Sequence, residues 1–142
     1  IDALREEAVD VVISWGKSVE VEAFGTLPEH VRVYASVDQP EVLAKANVFL
    51  THCGMNSVSE SLYMATPMVL YPQTNEQRAV ARRVREIGAG LELQEDSAVG
   101  IRAAVREILS APAYAKAAQD CAGDFRSAAE AADFIENVPH TI

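Results

Sequence analysis

The sequence predicts an α/β fold, a parallel sheet with helices on both faces. Three observations carry that expectation. Short apolar strands alternate with helical stretches over most of the chain, the connections between them are short, and two of the strands run apolar without polar alternation, as strands covered on both sides do. With 142 residues, 49% hydrophobic and 23% charged, the chain has the size and composition of one globular domain, residues 1–142, with a real core.

In order along the chain, Ile1 to Val9 has helix-forming composition with apolar positions at Ile1, Leu4, Ala8 and Val9. Val11 to Trp15 reads as a strand buried on both faces. Gly16 to Glu29 is polar and irregular, although Val19 to Glu22 alternates like a short exposed strand. Beyond Leu27-Pro28-Glu29, Val31 to Ala35 is a second strand, Gln39 to Ala46 a short helix, and Asn47 to Thr51 a third strand. A helix then begins near Asn56 or Ser57. Met68 to Tyr71 is a strand bounded by Pro67 and Pro72, and Glu76 to Ile87 a long amphipathic helix closed by Gly88. Gly90 to Leu93 makes a small strand, and Ala98 to Leu109 and Tyr114 to Asn137 are helical, with a candidate break at Gly123. The alanine-rich end reads as close-packed helix, since alanine favours that state.

The formal charge of −9 argues against a nucleic-acid partner or an anionic membrane surface, which clustered Lys and Arg would hold. Arg78, Arg82, Arg83 and Arg85 come nearest to a cluster, and helical spacing assigns them to a solvated face. The sequence has no apolar run long enough to cross a bilayer and no signal peptide at its start, so no membrane insertion is expected. Cys53 and Cys121 are too few for a disulfide framework, which fits a reducing cytoplasm.

The most informative run is Phe49 to Glu60, a buried strand that turns through Gly54 into a helix. Glycine permits a sharp turn and a close approach of ligand to backbone. Ser57-x-x-Glu60 matches a capping box. The free N–H groups and positive end of such a helix favour an anion above the carboxyl end of the strand. His52 sits there with a side chain able to donate to a phosphate oxygen, Asn56 and Ser57 add uncharged donors, and the run contains no Lys or Arg. Taken singly, these residues read as an ordinary cap and an ordinary strand end. In open sheets ligands bind beyond the carboxyl ends of the strands. The clusters at Ser36 to Gln39, His52 to Ser57 and Pro72 to Gln77 should therefore line one cleft.

From Ser36 to Leu93 the sequence closely resembles the donor-binding half of inverting glycosyltransferases with two Rossmann-like domains, the superfamily of macrolide glycosyltransferases and UDP-glucuronosyltransferases. The match rests on Thr51-His52-Cys53-Gly54-Met55-Asn56-Ser57-x-x-Glu60, on Thr66-Pro67-Met68 and on Pro72-Gln73-Thr74-Asn75-Glu76-Gln77; Arg83 to Gly90 looks like the macrolide type in particular. The resemblance implies that His52 holds the diphosphate of a nucleotide sugar with Asn56, Ser57 and the backbone of Gly54 and Met55. It implies that Glu60 meets the ribose hydroxyls, that Glu76 and Gln77 bind the sugar, and that Gln39 and the backbone of Val37 lie beside base and ribose. Ser36 stands where many relatives carry an aromatic against uracil, Asp38 replaces a common proline, and Glu76 replaces an aspartate. UDP is the expected nucleotide of the sugar donor.

The resemblance further implies transfer of a hexosyl group to a small-molecule hydroxyl with inversion, the acceptor and the general base belonging to an N-terminal domain absent from this chain. The half's first strand would precede Ile1. No Asp-x-Asp occurs, Glu20-x-Glu22 is the nearest imitation, and no metal or other cofactor is expected. His30, after a turn, reads as solvated, and His140 as part of a frayed tail, so neither supplies the base. A chain of this kind alone should bind nucleotide weakly and turn over nothing. The alternatives are a subunit of a split two-chain transferase and a non-catalytic nucleotide-sugar binding module.

Overall fold

The computed structural model describes residues 1–16 and 21–137. Five parallel strands alternate with helices: β1 (Val11–Ser14), β2 (Val31–Tyr34), α1 (Gln39–Lys45), β3 (Phe49–Thr51), α2 (Met55–Tyr63), β4 (Met68–Leu70), α3 (Asn75–Ile87), β5 (Gly90–Glu92), α4 (Ala98–Ser110) and α5 (Pro112–Asn137). The expected alternation is present, with ends shifted by a residue or so. Instead of one continuous sheet, the described strands form two: β1 beside β2, and β3-β4-β5. Val11 pairs with Val31, Phe49 with Met68, and Met68 with Gly90. Among the described residues, only β4 is paired along both edges.

β4 is the centre of the core. Met68 and Leu70 pack with Val58 and Leu62 of α2, Ala81 and Val84 of α3 and Ala118 of α5. Val69, pointing the other way as strand alternation demands, packs with Ala104, Val105 and Ile108 of α4. Helices therefore cover both faces. Gly90 lets β5 come close, because a Cβ there would lie 2.6 Å from the Met68 carbonyl oxygen.

Several local expectations fail for identifiable reasons. Ile1 to Val9 is no helix; only Asp2–Leu4 form a 3-10 turn. Arg102 of α4 donates from Nε to the Ala3 carbonyl at 2.9 Å, and Arg106 pairs with Glu7, so the segment is strapped across α4 and its carbonyls are drawn outward. β1 is covered on one face, not both: Val12 is 44% exposed, and the strand alternates half-buried with exposed. Val19 and Glu20 lie outside the described residues, while Val21–Phe24 form a 3-10 turn in place of the end of an exposed strand. Phe24 there packs edge-on against Trp15, centroids 5.1 Å apart, which favours a curled segment over an extended one. α5 runs through Gly123 without a break. His30 is partly buried, with the Leu4 carbonyl 3.0 Å from its Nε2, and is not the fully solvated residue expected; His140 lies outside the described residues.

The arginines of α3 do lie on its solvated side, with Ala81 and Val84 turned inward. Among the described residues no helix is long and apolar enough to cross a membrane.

Candidate functional site

Three strand-to-helix junctions follow the carboxyl ends of β2, β3 and β4. At the first, beyond β2, Ser36 is exposed and Val37 half-buried, and the Asp38 side chain accepts from the Glu41 N–H to cap α1. The residue in the proline's place is therefore a helix cap, a structural role a short carboxylate fills well.

At the second junction the chain turns in an unforeseen way. Gly54 is extended, φ −61° and ψ 139°, and the left-handed residue is Cys53 at φ 71°. Strain is thus carried by a residue with a side chain, buried completely, whose N–H donates to Thr51 Oγ1 at 3.1 Å. A backbone held in this region costs energy that surrounding contacts must offset, and such residues collect at ligand sites. Burial pushes the Cys53 thiol up to about 11, so it is a neutral packing group and not a nucleophile. A Cβ at Gly54 would meet nothing within 4 Å. The glycine there keeps the space above the helix end open and does not serve the turn itself.

Because α2 begins at Met55 with Gly54 as its N-cap, Ser57 and Glu60 do not form the expected capping box. They lie one turn inside the helix, three residues apart on one face. That face meets α1: Gln39 donates from Nε2 to Glu60 Oε2 at 2.7 Å and to Ser57 Oγ at 3.1 Å. No side chain caps α2, whose first intrahelical backbone bond runs from the Val58 N–H to the Gly54 carbonyl. Its leading N–H groups face outward beside the exposed Met55 and Asn56. His52 is also exposed, its ring edge-on to Tyr71 at 5.8 Å between centroids. The imidazole is therefore not turned into the interior.

At the third junction a capping box does occur, at Thr74 and Gln77 of α3. Gln77 donates its backbone N–H to Thr74 Oγ1, and its Oε1 accepts from the backbone of Gln73 at 2.8 Å and of Thr74 at 3.2 Å. The amide Nε2 is left to donate outward. Glu76 stands exposed beside it. The structure thus joins Gln39, Ser57 and Glu60 directly, leaves His52, Gly54, Met55 and Asn56 around the α2 end, and keeps Glu76 and Gln77 on the neighbouring helix. Among the described residues Ser36 and Val37 make no side-chain hydrogen bond to the others. Sequence reasoning overlooked Thr74 as a cap, although Thr74-x-x-Gln77 is the same pattern it applied to Ser57. It also passed over Tyr71 and Asp96, whose side chains meet at 2.7 Å. Among the described residues no three His, Cys, Asp or Glu side chains cluster as a metal site.

The sequence profile of the C-terminal domain of erythromycin biosynthesis protein CIII-like proteins matches residues 1–139. The chain belongs to that family. NDP-glycosyltransferase YjiC of Bacillus licheniformis is 38% identical over 141 residues, an alignment covering 96% of this chain and 36% of that protein. Demethyllactenocin mycarosyltransferase of Streptomyces fradiae is 29% identical over 97% of this chain and 31% of its own length. The crystal structure of CalG4, the calicheamicin glycosyltransferase, superposes with a TM-score of 0.83 at 30% identity, covering 95% of this chain and 36% of that one. This CIII-like domain therefore spans about a third of the length of these relatives, and its fold is that of the C-terminal half of such glycosyltransferases. The resemblance read over Ser36 to Leu93, of the macrolide type at Arg83 to Gly90 in particular, is borne out.

Proposed function

We propose that this CIII-like domain binds the nucleoside diphosphate sugar, UDP-linked, for an inverting, metal-independent hexosyltransferase acting on a small-molecule hydroxyl. The observation that carries the reading is the open α2 N-terminus, with His52 exposed before it and the Gln39–Glu60–Ser57 cluster beside it. In this reading the diphosphate sits on the leading N–H groups of α2 and on His52. One Glu60 oxygen is held by Gln39, and the other meets ribose. Gln77, its carbonyl fixed by the cap, donates to a sugar hydroxyl oxygen, and Glu76 accepts from another. As the acceptor hydroxyl attacks the anomeric carbon, charge grows on the departing diphosphate. Fixed N–H donors and the imidazole stabilise that charge, which lowers the barrier.

The acceptor pocket and general base belong, in this proposal, to a further N-terminal domain. The two reduced cysteines suit a cytoplasmic enzyme.

Calorimetric titration with UDP, dTDP and GDP tests the site. A charge-assisted hydrogen bond contributes about 1.5 to 3 kcal/mol, so His52→Ala should weaken the preferred nucleotide roughly ten- to 150-fold. Unchanged affinity for all three nucleotides would remove His52 from the diphosphate site. Detectable sugar transfer by the purified chain would contradict the placement of the base outside it.

A further inference from the structure

His52 is exposed, and among the described residues no hydrogen bond holds its ring. An imidazole on two free rotors would have to be ordered when a ligand arrives, and that ordering opposes binding. One neighbour does constrain it. Tyr71, the first residue beyond β4, donates its backbone N–H to the Thr51 carbonyl at 2.8 Å, which fixes it beside the residue that precedes His52. The two rings meet edge to face, 62° apart in plane and 5.8 Å between centroids, within the range in which aromatic pairs attract. The far end of Tyr71 is tied down as well: its hydroxyl donates to Asp96 Oδ2 at 2.7 Å, from the loop between β5 and α4. The hydroxyl is therefore spent on the protein, and what Tyr71 offers the site is its ring.

We propose that Tyr71, anchored by Asp96, is a positioning residue that holds the His52 imidazole in its donating orientation at the mouth of the α2 N-terminus. Its functional consequence rests on the reading of His52 as a diphosphate ligand; the ring contact itself does not. Asp96 acts at one remove, by fixing the tyrosine, and neither residue touches the reacting atoms.

The test combines UDP titration with proton NMR of the His52 ring. Tyr71→Leu should weaken UDP roughly three- to ten-fold, the worth of an aromatic pair, and should move the His52 ring resonances as the tyrosine ring current is lost. Tyr71→Phe should retain that ring-current shift and most of the affinity. Asp96→Ala, an exposed change that removes the acceptor of the Tyr71 hydroxyl and leaves the core intact, should weaken UDP in the same sense by a smaller factor. In the His52→Ala background, neither Tyr71→Leu nor Asp96→Ala should weaken UDP further, because a positioning role has nothing left to position. Equal losses with and without His52 would show a merely structural role and overturn the proposal, as would no loss from Tyr71→Leu. If His52→Ala leaves UDP affinity unchanged, the diphosphate reading fails. The ring contact is then judged on the resonances alone, and unmoved His52 signals in Tyr71→Leu overturn it too.

Discussion

α2 and α3 end in the same motif with different residues at the critical place, and this permits a prediction of opposite signs. After α2, Thr66 N–H bonds to the Ser61 carbonyl at 2.9 Å and Ala65 N–H to that of Leu62 at 3.1 Å. After α3, Ala89 N–H bonds to Val84 at 3.2 Å and Gly88 N–H to Arg85 at 3.0 Å. Both are Schellman caps, whose pivot is left-handed. The pivot is Gly88 at φ 87° in one and Ala65 at φ 60° in the other. Alanine in that region costs about 1 to 2 kcal/mol. Replacing it by glycine removes the cost, returns about 0.4 to 1 kcal/mol through the freer unfolded chain, and loses part of a methyl's burial, at most about 0.8 kcal/mol. Ala65→Gly should therefore stabilise the protein by about 0.5 kcal/mol and raise Tm by about 1 to 2 °C. Gly88→Ala should destabilise it by about 1 kcal/mol, since its new Cβ would find only an ordinary contact with Ala117 at 3.6 Å and the backbone alone resists. Thermal unfolding followed by circular dichroism, with urea unfolding beside it, reads both. A lower Tm for Ala65→Gly, or a neutral Gly88→Ala, would refute the account of these two caps.

Thr74→Ala removes one half of the α3 capping box and should lower stability by about 1 kcal/mol in urea unfolding; it should also speed hydrogen exchange at Gln77, whose N–H loses its acceptor. Gly100→Ala places a Cβ 2.1 Å from the Glu95 carbonyl oxygen, a backbone atom that cannot swing aside. A loss of roughly 1 to 3 kcal/mol is expected by the same assay, and wild-type stability would show that the loop yields freely. Burial raises the Cys53 thiol from 9.0 to about 11. The unfolded chain therefore releases this proton first, so stability is fully present below about 9 and declines as pH rises through about 11. Denaturation midpoints measured in wild type and Cys53→Ala across that window should converge as the pH rises.

The alternation of strands and helices was legible because buried strands and amphipathic helices carry different periods, and the helix following His52 was legible because glycine and polar residues punctuate its start. Its first turn was not. A capping-box pattern at Ser57 outscored the true N-cap three residues earlier, since sequence shows which residues can cap but not which backbone is already turned. The strain at Cys53 was invisible for the same reason: glycine next door was the residue expected to take a positive φ. Ile1 to Val9 shows the opposite failure, helical composition overridden by Arg102 and Arg106 reaching across from α4. Those partners lie a hundred residues away, beyond any local window.

The misplaced helix start bears directly on the site. Had Ser57 capped α2, its hydroxyl and the Glu60 carboxylate would have been consumed by the chain's own N–H groups, the very donors an anion needs. With the cap at Gly54, which has no side chain to offer, those N–H groups stay outward and both side chains turn to Gln39 instead. Gln39 uses one amide nitrogen to hold two acceptors from α2, fixing α1 against the face of the helix where ribose is proposed to lie. The strain at Cys53 and the missing side chain at Gly54 therefore act together: the first turns the chain sharply enough for α2 to begin at Met55, and the second leaves its end unblocked. A side chain at position 54 is tolerated by the fold, since nothing lies within 4 Å of its Cβ. Gly54→Val should accordingly fold, with Tm lowered by a few degrees for the poorer N-cap, yet weaken UDP about ten-fold or more, while retained affinity would mean that the diphosphate binds somewhere other than over this helix end.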